Sequence, residues 1–251
     1  MQNRIIPVVI RIIGHSESEK AAKRCVESFD HHAGKNPSFG PIELFDAVTP
    51  NEINKLMAVH SLHWNYPWIK KEYCEKTDVF KVPYKTTNID AKIACALSHY
   101  LLWHRSYQNN ETLLILEHDA EFIHSIPENI GEIIDQSSFS FIGVNDPRGA
   151  TRKSNVFHQS IIKESSFGDQ MKIIKCPWVE PDDRENIQGL AGGSAYIVKP
   201  EGAVELLDNI DELGLWHNDC ILSHQVLPGS LGVSSLYLTR VQKGIKSTTT
   251  A

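Results

Sequence analysis

The chain has 251 residues, with 25 Lys and Arg against 31 Asp and Glu for a net charge of −6, and 41% of it is hydrophobic. That balance excludes a disordered, collagen-like or low-complexity chain, and mild acidity without a Lys/Arg block argues against nucleic acid as the main partner. The length suits one α/β domain with a full core, or two small ones.

The β-branched run Ile5-Ile6-Pro7-Val8-Val9-Ile10 predicts a strand covered on both faces. The segment Ile5 to Ile13 is short, carries Arg11, and is not followed by a small-residue cleavage pattern, so it reads as a strand and not a signal peptide. Gly14 ends it, and Ser16 or Ser18 is placed to cap a helix through Ala21, Ala22, Cys25, Val26 and Phe29. Pro41–Phe45 predicts a second strand, and strand–helix–strand at this spacing opens a parallel sheet. From Asn51 to Asn88 the chain is rich in aromatics and His without a clear period. Asp90 is then placed to cap a helix from Ala91 to about Tyr107, apolar on more than one side.

Thr112–Leu116 is the clearest core strand, and it ends in Glu117-His118-Asp119. Phe139–Val144 is another, ending in Asn145 and Asp146. Beyond it come irregular chain with one strand at Met171–Ile174, an acidic loop from Pro177 to Asn186, and a strand at Ser194–Val198. Pro200 opens a helix through Val204, Leu206 and Leu207. A helical stretch around Asp219–Val226 and a strand near Ser234–Thr239 complete the pattern. There is no repeat and no linker that divides the chain. Five cysteines (Cys25, Cys74, Cys95, Cys176, Cys220) form no CxxC pair, which fits reduced thiols. No run is long enough to span a bilayer, and the expected setting is the cytoplasm.

Ligands of open α/β sheets sit at the carboxyl ends of strands. In extended chain, residues two apart point the same way, so Glu117 and Asp119 are expected to present two carboxylates on one side, with His118 turned away. Such a pair is relieved by a hard divalent cation such as Mg²⁺ or Mn²⁺. The plainer reading is a solvated turn or helix cap.

The segment Lys92-Ile93-Ala94-Cys95-Ala96-Leu97-Ser98-His99, then Trp103, then Leu114-Ile115-Leu116-Glu117-His118-Asp119-Ala120, resembles glycosyltransferase family 25. That family, which includes lipooligosaccharide and collagen galactosyltransferases, carries a helix ending in Cys-x-x-Ser-His and a strand ending in Glu-Asp-Asp. Gly193-Ser194-Ala195-Tyr196-Ile197-Val198, followed by Gly202-Ala203 and Leu206-Leu207, is similar to its Ala-Tyr block, and Phe45-Asp46-Ala47-Val48 to its early Phe-x-Ala-Val turn. The blocks run in order from about residue 42 to residue 207.

The resemblance implies an α/β fold of GT-A type, with a mixed, mostly parallel central sheet flanked by helices, in a single domain spanning 1–251. Residues 1–125 would mainly bind the nucleotide sugar and 126–251 the acceptor. It implies transfer of galactose or glucose from a UDP-sugar, with inversion, to a glycan or other hydroxyl acceptor. It also implies Mn²⁺ (or Mg²⁺) as cofactor, and membrane contact only peripherally, through the acceptor. Carried over by position, Asp119 and Glu117 become metal ligands, with Asp119 the direct one. Ser98 and His99 fall near the donor diphosphate, and Ala47 and Val48 beside the nucleoside. Asp219 becomes the leading candidate for the base, with Glu180, Asp182, Asp183 and Asp146 as alternatives; its other reading is an N-cap for the helix that follows.

The chain departs from the family at three places. His118 replaces the middle Asp of the acidic motif, Ala91-Lys92 replaces Gly-Glu, and Arg11-Ile12-Ile13-Gly14-His15-Ser16 replaces Asn-Leu-x-x-x-x-Arg. The alternative function is a relative without turnover that binds nucleotide sugar or glycan. A metal-dependent phosphohydrolase fits the flanking blocks worst. The acidic loop reads as a lid over bound donor or as plain surface, and Trp64, Trp68 and Trp178 as sugar-stacking or core aromatics. His60 and His63 lack the further ligands that zinc needs.

Overall fold

The computed structural model describes residues 4–149, 153–165, 170–181, 183–190 and 192–245. The first strand, β1 (Ile6–Arg11), is buried along its middle four residues. Gly14, at a φ of 76°, turns the chain into α1 (Ser16–His32). The cap of α1 is His15, not Ser16 or Ser18 as expected: its Nδ1 accepts the Ser18 N–H. The Ser18 hydroxyl looks back instead and accepts the Ile12 N–H at 2.9 Å. β2 (Glu43–Asp46) then pairs parallel with β1, Ile10 opposite Phe45.

The stretch without a period holds a 3₁₀ turn (Pro50–Glu52), α2 (Ile53–Val59), and a hairpin of β3 (Glu72–Cys74) and β4 (Val79–Lys81). No residue of α2 is fully buried, so an apolar stripe was never required of it. α3 (Ile89–Asn109) starts two residues earlier than Asp90 suggested, because the Asn88 side chain accepts the Ala91 N–H at 3.0 Å. It ends on Asn110 in the left-handed conformation.

Next come β5 (Leu113–Glu117), β6 (Ala120–Phe122), α4 (Ile130–Gln136), β7 (Phe141–Gly143), α5 (Ser154–Ser165) and β8 (Ile173–Lys175). They are followed by β9 (Ala195–Val198), α6 (Pro200–Leu213), the four-residue α7 (Asn218–Ile221), β10 (Leu231–Ser234) and β11 (Thr239–Val241). The helix expected over Asp219–Val226 is thus one turn. The strand expected at Ser234–Thr239 is the bend between β10 and β11, where the Ser234 hydroxyl bonds the Leu236 carbonyl.

Seven strands form one sheet in the order β2-β1-β5-β9-β7-β10-β8. β2, β1, β5, β7 and β10 share a direction, while β9 and β8 oppose it. The mixed, mostly parallel sheet expected from sequence is therefore present. α3 and α6 cover one face, with Leu97, Trp103, Ile115, Tyr196 and Leu206 in the core. α1 and α4 cover the other, with Cys25, Phe29, Leu114, Leu116 and Ile134. Leu113 to Leu116 are all fully buried, each contributing about 1.5–3 kcal/mol. A one-residue slip would exchange the two faces, so the register is fixed. At Gly202 an added Cβ would lie 2.7 Å from the Ser140 hydroxyl, so glycine lets α6 close onto β7.

Because β9 runs against its neighbours, its first residues meet the carboxyl ends of β5 and β7. The Glu117 N–H donates to the Ser194 carbonyl at 2.8 Å. One sheet edge thereby collects Arg11, Asp46, Glu117 and the Gly192–Ser194 loop.

Candidate active site

At the tips of β1 and β2, Arg11 Nε bonds Asp46 at 2.8 Å and the Ala47 N–H bonds the Arg11 carbonyl at 2.7 Å. The next amide, Val48 N–H, donates to the Ser98 hydroxyl at 2.9 Å, and that hydroxyl donates to the Ala94 carbonyl at 2.8 Å. Val48, expected with Ala47 beside the nucleoside, and Ser98, expected near the diphosphate, are thus in direct contact. Ser98 has both of these bonds inside the protein, so it positions the Ala47–Val48 turn against α3. Ser98→Ala leaves the buried Val48 N–H unpaired and is expected to cost about 1–3 kcal/mol, read by thermal denaturation.

His99 follows on α3 but points elsewhere, as adjacent helical residues must. Its ring is buried, with Nδ1 2.8 Å from the Tyr196 hydroxyl, which also accepts the Trp103 indole N–H at 2.8 Å. The other nitrogen, Nε2, lies 3.4 Å from Glu117 Oε1 and makes no hydrogen bond among the described residues. Cys95, one helical turn before His99, completes a group with it and Glu117. The sequence reading passed over Cys95, and its four-residue spacing from His99 was the available signal.

The acids of the β5 tip do not repeat the strand's alternation, because the chain turns at His118–Asp119 before β6. Glu117 faces α3, where its charge adds to the effect of burial in raising the Cys95 thiol to about 12. Asp119 acts on the other layer, adding to burial at Cys25 of α1. The strand ends at Glu117, so the alternation expected to bring both carboxylates to one side does not extend through Asp119. They still feel each other: burial, with Glu117 adding, pushes Asp119 up to about 7. Asp119 Oδ1 is buried without a hydrogen-bond partner among the described residues, while its main-chain carbonyl accepts the Gln242 N–H at 2.7 Å. A buried carboxylate oxygen without a partner beside a second carboxylate fits a divalent cation. Burial holds His118 below the usual imidazole range, and neighbouring His15 lowers it further against the pull of Glu117.

Across the Gly192–Ser194 loop stands Asp219. It lies in the first turn of α7, whose cap residue is His217, so the N-cap reading of Asp219 does not hold. Lys92 Nζ donates to Asp219 Oδ2 at 3.0 Å and sits 4.3 Å over the Tyr84 ring. The lysine side chain is only 4% exposed, the aspartate 55%. Burial works to raise Asp219, but Lys92 and then His217 outweigh it and hold the carboxyl at about 2. His217, 3.8 Å away, is pushed down by burial to about 3, so it adds its charge only in the acid range where Asp219 itself titrates, and its Nδ1 makes no hydrogen bond among the described residues. This approach explains Gly189, where a Cβ would lie 2.6 Å from the Asp219 carbonyl, whereas one at Gly193 would meet Asp219 Oδ1 at an ordinary 3.8 Å. Lys92 was read only as a departure from the family pattern, and its partner lies 127 residues away.

The alternative acids are engaged. Asp146 is clamped by Arg148 at 2.7 Å, Glu180 pairs with Lys153, and Asp183 accepts the Asn186 amide; Asp182 lies outside the described residues. The acidic loop is tied to the β3–β4 hairpin through Lys71–Glu185 and Arg184–Asp78. Trp178 stacks on His224, Trp64 and Trp68 stack on each other at 5.1 Å, and His60 packs on His104.

A sequence profile of glycosyltransferase family 25, described as LPS biosynthesis protein, matches residues 27–222. No curated protein matches the sequence. Among solved structures, the chain is similar to mouse xyloside xylosyltransferase 1 in its apo form. The TM-score is 0.42 at 10% identity, over 92% of this chain and 84% of that one. The family profile takes in most of the chain and every block that carries the resemblance, from the turn at Ala47 to the acids of the β5 tip and Asp219. The chain therefore belongs to glycosyltransferase family 25 and is a glycosyltransferase.

Proposed function

We propose that this glycosyltransferase moves a hexose, galactose or glucose, from a UDP-sugar to a hydroxyl of a glycan acceptor, with inversion and with a divalent cation. The observation that carries this reading is the opposition of two acidic sites across a glycine loop. Asp119, whose buried Oδ1 has no hydrogen-bond partner among the described residues, and Glu117 would form the donor side. Asp219, with Oδ1 turned toward Gly193, would form the acceptor side. The first 125 residues then serve mainly the donor and the rest mainly the acceptor.

Asp119 and Glu117 would hold the ion, Mn²⁺ or Mg²⁺, which when bound offsets the charge of the departing diphosphate. Ser98 fixes the Ala47–Val48 turn beside the nucleoside, and His99, steadied by Tyr196, lines the diphosphate. Asp219 accepts the proton of the acceptor hydroxyl as that oxygen attacks the sugar carbon opposite the leaving group. Held ionised by Lys92, it is a weak base. The proton therefore moves late, once the forming bond has made the hydroxyl acidic. No described helix is long and apolar enough to cross a membrane; the enzyme works in the cytoplasm and meets a membrane only through its acceptor.

The test is UDP release from a panel of UDP-sugars with Mn²⁺, with and without glycan acceptors. Acceptor-dependent release from UDP-galactose or UDP-glucose is expected. UDP binding without release from any donor would assign the chain to the relatives without turnover. A melting curve unmoved by UDP with Mn²⁺ would remove the donor site altogether.

A further inference from the structure

Three side chains meet between α3 and the carboxyl end of β5 with a donor set unlike that of the strand-tip acids. We propose that Cys95, His99 and Glu117 form a second cation seat, selective for a zinc-class ion. It shares Glu117 with the donor-side ion.

Cys95 and His99 are four residues apart on α3 and so project from one face, a turn apart. Glu117, at the end of the neighbouring strand, faces them. The cysteine sulfur, a ring nitrogen of His99 and a Glu117 carboxylate oxygen all lie within 4.8 Å of one another. Ligands about 2.0–2.3 Å from one tetrahedral ion are separated by somewhat less, so a small contraction closes the site. The second observation is independent of spacing. The His99 side chain is 1% exposed, and its Nε2 is aimed at Glu117 with no hydrogen bond among the described residues. A buried ring nitrogen of this kind calls for a partner.

The ring is held for that purpose. Tyr196, anchored by Trp103, takes Nδ1 at 2.8 Å and fixes the orientation, the support that metal-bound histidines receive from their surroundings. When Nε2 binds the ion the ring proton sits on Nδ1, and the Tyr196 oxygen, with two lone pairs, then accepts both the His99 and the Trp103 N–H. Three protein ligands would leave a fourth position for water or a small molecule, as in other three-ligand sites. Sulfur and imidazole favour Zn²⁺ or Co²⁺ over Mg²⁺ and Mn²⁺, whereas the all-oxygen pair Glu117 and Asp119 favours the hard ions. An ion in the softer seat takes Glu117 from the harder one, so zinc opposes manganese at this cleft. The Cys95 thiol gives up its proton on binding.

Metal-free protein titrated with Co²⁺ in the absence of nucleotide tests this without reference to glycosyl transfer. A single Co²⁺ per chain is expected, with a thiolate-to-cobalt charge-transfer band that Zn²⁺ abolishes by displacement. Cys95→Ser should lose the band; Cys95 is partly exposed and its hydrogen bond to Asn218 is long, at 3.9 Å, so the near-isosteric change keeps the fold. Zn²⁺ should also raise the Mn²⁺ concentration needed for stabilisation by UDP in the wild type and not in Cys95→Ser. Absence of a thiolate band, or a band that survives in Cys95→Ser, overturns the seat. Neither result touches the UDP-sugar reading, which fails separately if UDP and Mn²⁺ do not bind.

Discussion

Replacing Asp219 by asparagine is expected to lower kcat by about 10²–10⁴-fold, the usual worth of a positioned base, with little change in the KM for donor. The same change removes the partner of a lysine that is almost fully buried. Leaving such a charge unpaired costs about 3–5 kcal/mol, so activity must be read well below the lowered melting temperature. Lys92→Met separates the two effects, since it keeps the carboxylate and removes its counter-charge. Burial alone pushes Asp219 upward, and only Lys92 and His217 hold it at about 2. The folded value lies below the ordinary 3.8, so the pair stabilises the fold above that pH and ceases to do so as pH falls through about 2. In Lys92→Met the carboxyl rises, and the acid limb of the kcat/KM profile moves to higher pH. An unchanged kcat in Asp219→Asn would take the base away from this residue, and an unmoved acid limb in Lys92→Met would deny the lysine its control.

How much of this was legible in the sequence depends on whether a residue's role is local. β1, β5 and β9 were visible because buried strands need unbroken apolar runs, and α3 because Leu97, Leu102 and Trp103 must all be interior. α5 escaped notice because only Phe157 and Ile161 of its twelve residues are buried. The β3–β4 hairpin did so because each strand is three residues long. Caps were misplaced by one to three residues where two polar side chains competed, as at Asn88 against Asp90 and His15 against Ser18. At the site, the ordered family blocks located Ser98, His99, Glu117 and Asp219, yet not the partners of these residues. The His99–Tyr196 contact joins positions 97 apart, and Lys92–Asp219 positions 127 apart. Such pairings belong to the sheet order, in which β9 is inserted against β5, and no local pattern encodes them. The turn at His118–Asp119 likewise broke an alternation that a two-residue period had extended two residues past the end of β5.

Asp119→Asn is expected to act in opposite directions on the metal-free and the loaded protein. In the metal-free protein the folded Asp119 carboxyl stands at about 7 against 3.8 unfolded. A raised carboxyl gives stability that is complete below the unfolded value, falls as the pH rises from about 4 to about 7, and is gone above that. At about 1.4 kcal/mol per unit, the full loss is about 4 kcal/mol. Asparagine does not ionise, so the variant should be more stable than the wild type at pH 8 by up to that amount, and indistinguishable from it near pH 3.5. With UDP and Mn²⁺ at a hundredfold excess over Kd, the wild type should gain about 2.7 kcal/mol, or roughly 5–10 °C in Tm for a chain of this size. The variant should gain almost nothing. Melting curves at several pH values, with and without ligand, decide both halves. Parallel pH dependence in the two proteins would mean that burial and Glu117 do not raise this carboxyl. An equal ligand shift would mean that Asp119 holds no ion. The crossing of the two curves, a variant that is sturdier empty and weaker loaded, is the signature of an acid kept in an unfavourable place for the sake of a cation.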